Sequence, residues 1–156
     1  METIDPKKAA RVWQRVQGHA PLQPLAPTPS PTLQPAHLIP LIRQERLDAA
    51  IYAMLARQPG PSQALLKQLA QQEYAHLATL KGLYTLLSGQ PPKIPLPQFS
   101  KEPAGRLLRR CYAEEMRTLA RYEALSEDPE YGRIFRQLAQ QEQEHCRRIL
   151  MILGRK

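Results

Sequence analysis

The chain has 156 residues, 42% of them hydrophobic, and 22 Lys and Arg against 14 Asp and Glu give it a formal net charge of +8. One domain of this length can bury a single core. Strand formers are scarce beside Leu, Ala, Gln, Glu and Arg, which predicts an all-α protein and argues against sheet architectures. No run of about 18 apolar residues is present to span a membrane. The start, Met1-Glu-Thr-Ile-Asp-Pro-Lys-Lys, lacks the apolar stretch of a secretory signal, so a cytoplasmic location is expected. Two well-separated cysteines, Cys111 and Cys146, rule out a disulfide framework or a four-cysteine metal site and are expected to pack between helices.

In chain order, residues 1–37 form a proline-rich zone, with seven prolines among the twenty positions from 21 to 40. Proline lacks the amide donor of a helix interior, so an extended or disordered arm is predicted, preceded by one short amphipathic helix over Pro6–Gln17. A bundle domain over 38–156 follows. Its helices are predicted at 38–57, 62–87, 104–126 and 130–153. Pro59-Gly60-Pro61 and Asp128-Pro129 break the chain inside two helical hairpins, 38–88 and 104–153, with Ser62 and Asp128 as the expected N-caps. The proline-rich linker 89–103 reaches a little over about 40 Å when extended. That is about the length of the helices, which favours an antiparallel four-helix bundle with one long crossover between its second and third helices.

The hairpins carry the same chemistry twice. Glu73-Tyr-Ala-His76 and Glu142-Gln-Glu-His145 sit in matching phrases, Gln68-Leu-Ala-Gln-Gln-Glu73 and Gln137-Leu-Ala-Gln-Gln-Glu142, offset by 69 residues. Each has a lone upstream glutamate, Glu45 or Glu115, that precedes a tyrosine, Tyr52 or Tyr122, by seven residues. Residues three apart share a helix face, so each Glu-x-x-His presents a carboxylate and an imidazole to one point. At about 1.5 Å rise per residue, each glutamate and its partner Glu-x-x-His lie roughly 20 Å from their common bend, so antiparallel packing brings them level. Glu114 competes with Glu115 for the third-helix position, because Glu114 would make the repeat ungapped.

Four glutamates offset the charge of two divalent cations, and oxygen plus imidazole ligation suits iron or manganese. Apolar residues around them, Leu66, Leu69, Leu77, Leu80 and Tyr84 in one hairpin and Phe135, Leu138, Ile149 and Ile152 in the other, predict a buried site. Carboxylates there cost several kcal/mol each unless paired or metal-bound. Tyr52 and Tyr122 read as core aromatics whose hydroxyls hydrogen-bond a glutamate, or as redox-active phenols. One Glu-x-x-His alone would carry no information; the alternative for the pair is a duplicated hairpin whose site has decayed. The arginines at 106, 109, 110, 117, 121, 147, 148 and 155 read as a solvated surface, since no aromatic residues interleave them to bind nucleic acid.

Over residues 38–153 the paired pattern resembles the ferritin-like superfamily, closest to rubrerythrin-type bundles. The resemblance implies a carboxylate-bridged centre of two iron ions. Glu73 and Glu142 would bridge, Glu45 and Glu115 would be terminal ligands, and His76 and His145 would give one nitrogen to each metal. It also implies oxidation of ferrous iron by peroxide or dioxygen, as a peroxidase or ferroxidase, with catalase-like dimanganese chemistry as an alternative. Tyr112 and Thr118 stand where peroxidase-type rubrerythrins carry a further glutamate, and no Cys-x-x-Cys module is present. A peroxidase would therefore need an external electron donor. Cage-forming ferritins carry a fifth short helix to which the resemblance over 38–153 does not extend, so storage of iron in a cage is not expected, while a homodimer is compatible with such bundles. A rival expectation of another class is a structural or partner-binding bundle whose metal is stabilising or absent.

Overall fold

A computed structural model describes residues 32–154. Four helices account for most of them: α1 (Pro35–Leu55), α2 (Gln63–Ser88), α3 (Ala104–Leu125) and α4 (Gly132–Gly154). No strand occurs among the described residues. α1 packs along α2 and α3 along α4, so the helices form two tight pairs, and thinner contacts join α1 to α3 and α2 to α4.

Cross-helix contacts give the directions. Tyr52 meets Glu115 while Tyr122 meets Glu45, so α1 and α3 run antiparallel. His76 meets Gln141 while His145 meets Gln72, so α2 and α4 do too. With both hairpins antiparallel, the C-terminus of α2 and the N-terminus of α3 lie at opposite ends of the bundle. The linker spans that distance along the α1 side. Arg46 donates to the Ile94 carbonyl at 2.8 Å from mid-helix, and Phe99 packs near the α1–α2 turn. α2 ends at Gly89, whose φ of 77° and amide bond to the Thr85 carbonyl close the helix in the left-handed conformation that glycine adopts without a Cβ penalty.

Several boundaries differ from those predicted. α1 starts at Pro35, ahead of the expected Leu38, because proline suits the first helical position and the Gln34 amide donates to His37 Nδ1 at 3.1 Å. Leu33 is already buried, and its amide donates to Asp128 Oδ2 at 2.7 Å, so the bundle incorporates residues expected in the arm. The rest of that arm and the helix expected over Pro6–Gln17 lie outside the described residues. Asp128 holds the entry to α4, accepting from the Glu130 and Tyr131 amides at 2.9 and 2.7 Å, and α4 proper begins at Gly132. Ser62 stands at the N-cap of α2 but makes no side-chain capping bond; its near-helical backbone already lets its carbonyl accept from the Leu66 amide.

Two apolar clusters fill the ends of the bundle. One, around Ile51, Leu55, Leu69, Leu107 and Ile149, lies toward the α1–α2 turn; the other, around Leu38, Ile42, Leu80, Phe135 and Leu138, lies toward the α3–α4 turn. Cys111 packs in the first and both cysteines are buried and free. Leu77 and Tyr84, expected in the core, are only partly buried at the margin of the second cluster. Between the clusters, at mid-height, the interior is polar.

Candidate metal centre

Glu45, Glu73, His76, Glu115, Glu142 and His145 converge in that middle layer, none more than 2% exposed. Their periodic placement explains the convergence: each lies on the same face of its helix as the leucines and isoleucines that drive packing, so burying the apolar stripe buries the charges with it. Glu114, one position before Glu115, turns outward and pairs with Arg117, leaving Glu115 as the α3 carboxylate at the centre.

The arrangement has two matching halves. His76 Nδ1 faces three carboxylates, Glu142 Oε1 at 3.0 Å, Glu73 Oε2 at 3.2 Å and Glu45 Oε2 at 3.4 Å. His145 Nδ1 faces Glu73 Oε1 at 2.7 Å, Glu142 Oε2 at 3.3 Å and Glu115 Oε2 at 3.6 Å. Glu73 and Glu142 thus turn one oxygen toward each imidazole, while Glu45 and Glu115 each serve one side. The rings lie 5.2 Å apart and nearly parallel.

Close approach does not mean satisfaction here. Both oxygens of Glu73, both of Glu142 and both Nδ1 atoms are buried with no aligned hydrogen-bond partner. Six orphaned polar atoms in one place are costly in a protein interior. Ligand atoms of Glu73, His76, Glu142 and His145 all lie within 4.8 Å of one another, so this group could hold a metal ion, and the whole cluster is compatible with two. Divalent cations would satisfy the orphaned atoms, and four carboxylates would offset their charge.

Protonation in the metal-free protein follows from the same crowding. Burial works against charging the histidines, but the surrounding glutamates outweigh it, raising His76 strongly and pushing His145 up to about 12. Burial pushes Glu115 up to about 7, with Glu142 adding to the effect and His145 opposing it. Burial also raises Glu73, with help from Glu115 and Glu45. Burial opposes ionisation of Glu142 as well, but Glu115 and the two histidines overcome it and hold Glu142 below its ordinary value. Protons therefore compete with cations for these atoms.

A second layer of side chains orients the first. Tyr52 OH donates to Glu115 Oε1 at 2.5 Å and Tyr122 OH to Glu45 Oε1, each across from one hairpin to the other. Burial, then the facing glutamate, raises both phenols, so they keep their protons and act as donors. His76 Nε2 meets Gln141 Oε1 at 2.8 Å and His145 Nε2 meets Gln72 Oε1 at 3.0 Å. With Nε2 holding its proton against an amide oxygen, Nδ1 is the nitrogen that faces the carboxylates and would bind a metal.

No family model, curated protein or solved structure matches the chain. Its functional reading rests on the geometry.

Sequence reasoning missed three residues near the centre. Gln72 and Gln141 were visible only as parts of the repeated phrase. Asp48 is buried one turn beyond Glu45, accepting from Gln44 Nε2 at 2.8 Å, and burial together with the Glu115 charge raises its carboxyl well above the ordinary range. The signal for Asp48 was its three-residue step from Glu45.

Proposed function

We propose that this chain is a ferritin-like, rubrerythrin-type protein that binds two iron ions and oxidises them from the ferrous state with peroxide or dioxygen. One observation carries the reading: Glu73 and Glu142 each divide their oxygens between His76 and His145. That is the arrangement two adjacent cations need in order to share carboxylates within a four-helix bundle. Manganese fits the same donors, so iron is the proposed metal on its oxidation chemistry and on the resemblance.

The bound pair would supply two electrons, which with two protons reduce one peroxide to two waters and leave two ferric ions. Everything else falls to the protein. Glu45 and Glu115 close the two ends of the centre, and Tyr122 and Tyr52 hold one oxygen of each so that the other points inward. Gln141 and Gln72 keep protons on the outer nitrogens of the histidines. The apolar clusters above and below exclude water from the centre. Asp48 is a buried carboxyl with a raised affinity for protons, suited to supply one during turnover.

Stopped-flow absorbance of the full chain, loaded anaerobically with ferrous iron and mixed with peroxide, tests the reading. Ferric absorbance should rise rapidly with about two irons oxidised per peroxide, and a Glu73→Ala, Glu142→Ala variant should show only the slow background of free iron. Equal rates for the two proteins, or metal bound without oxidation, would overturn it; the second result would favour a structural bundle.

A further inference from the structure

The geometry points to Arg148 as a positioning residue that acts through Gln72 on His145, making the two metal positions inequivalent. The inference rests on the di-metal reading and goes beyond it. Arg148 NH1 donates to Gln72 Oε1 at 2.9 Å, the same oxygen that meets His145 Nε2 at 3.0 Å. An amide side chain can normally turn over, exchanging its oxygen for its NH2 group. Gln72 cannot do so without setting its NH2 against a guanidinium, which only donates. Its oxygen therefore stays toward His145 and accepts from Nε2, which leaves Nδ1 as the ligating nitrogen, facing Glu73, Glu142 and Glu115.

The other half of the centre has no such lock. Offsetting Glu144 and Arg148 by the repeat's 69 residues lands on Ala75 and Thr79. Thr79 spends its hydroxyl on the Ala75 carbonyl of its own helix, 3.1 Å away. Gln141, the partner of His76, has no cation holding its oxygen among the described contacts. If its amide turns, NH2 faces Nε2, that nitrogen can no longer hold a proton, and Nδ1 must carry the ring's proton in place of a metal. Glu144 in turn holds Arg148 through Nε at 3.2 Å, tempering the arginine's charge and fixing its reach. The His145 position is thus preformed and fills first, while the His76 position must select its tautomer as the metal arrives.

Anaerobic titration of the full chain with Co(II), read by its visible ligand-field absorbance, tests this directly. The wild-type chain should bind in two steps separated by about tenfold or more, the size typical of residues that orient a metal ligand from behind. Arg148→Met should weaken the tighter step by about that factor, and Arg148→Lys, which still only donates, should largely restore it. Gln141→Glu, whose side chain can only accept, should strengthen the weaker step and draw the two together, a gain that a merely misfolded variant would not show. Two indistinguishable steps in the wild type, or a tighter step unchanged in Arg148→Met, would overturn the role of Arg148 while leaving the di-metal centre standing. No Co(II) bound by the wild type would overturn both.

Discussion

The two hairpins supply the same ligands on different supports. In α1–α2 the turn is stiffened by Pro59-Gly60-Pro61, and Ser62 adds no side-chain cap. In α3–α4 a single carboxylate, Asp128, ties down three backbone amides, one of them Leu33 at the entry to the bundle. The first hairpin buries Asp48 beside its terminal glutamate, where the second has Thr118. The second carries Glu144 and Arg148 where the first has Ala75 and Thr79. What the hairpins share centres on the ligands and the groups that touch them (glutamate, Glu-x-x-His, the tyrosine and the preceding glutamine), together with the Leu-Ala step that packs just before each Glu-x-x-His. The matching elements answer to the chemistry of the centre and to the packing directly beside it, and the differing ones answer to local folding or to differences between its two halves.

Breaking the shared set should have the largest effect. Glu73→Ala or Glu142→Ala removes an oxygen from both imidazole sides and should abolish binding at both positions. Glu45→Ala, which serves His76 alone, should cost one metal per chain. Elemental analysis of anaerobically loaded protein distinguishes two, one and none.

Next comes the pH response. In the metal-free chain His76, His145, Glu115 and Glu73 all hold protons more tightly when folded than the free groups do. The folded state therefore binds more protons, and stability must fall as pH rises. For Glu115 the loss runs from the ordinary value of 4.5 up to about 7, and for His145 from 6.5 up to about 12. Metal binding displaces those protons and strengthens over the same range. Melting temperatures taken from pH 5 to 8, with metal and with chelator, should diverge as pH rises.

Smaller changes separate the two turns. Asp128→Ala strips three amides of their acceptor and should destabilise the protein by about 1–3 kcal/mol, whereas Ser62→Ala should stay within about 0.5 kcal/mol, by denaturant unfolding. Tyr52→Phe should fall between them. It costs about 1 kcal/mol by removing the donor to Glu115, and weakens metal binding on the His145 side more than on the other.

Much of the centre was legible in the chain because its ligands obey helical periodicity. Positions three apart share a face, and paired breakers set each glutamate level with its partner. Glu115 could not be separated from Glu114 by spacing alone. The choice depends on how α3 rotates against α1, which the Tyr52 hydroxyl and the burial of Leu119 and Tyr122 decide. Gln72 was unreadable for a related reason. One residue before Glu73 it is turned about 100° around the helix, and only the approach of α4 makes that direction lead to His145. Arg148 looked like one more exposed arginine, although most of its side chain is covered. Leu33 lay within a proline-rich stretch whose composition hides a single buried residue.

The most direct test of the central claim is X-ray absorption at the iron edge on the anaerobically loaded full chain, with iron per chain measured on the same sample. A shared-carboxylate centre predicts about two irons per chain and iron–iron scattering at about 3.5–4 Å. Iron bound singly, with no iron neighbour at that distance, would contradict it.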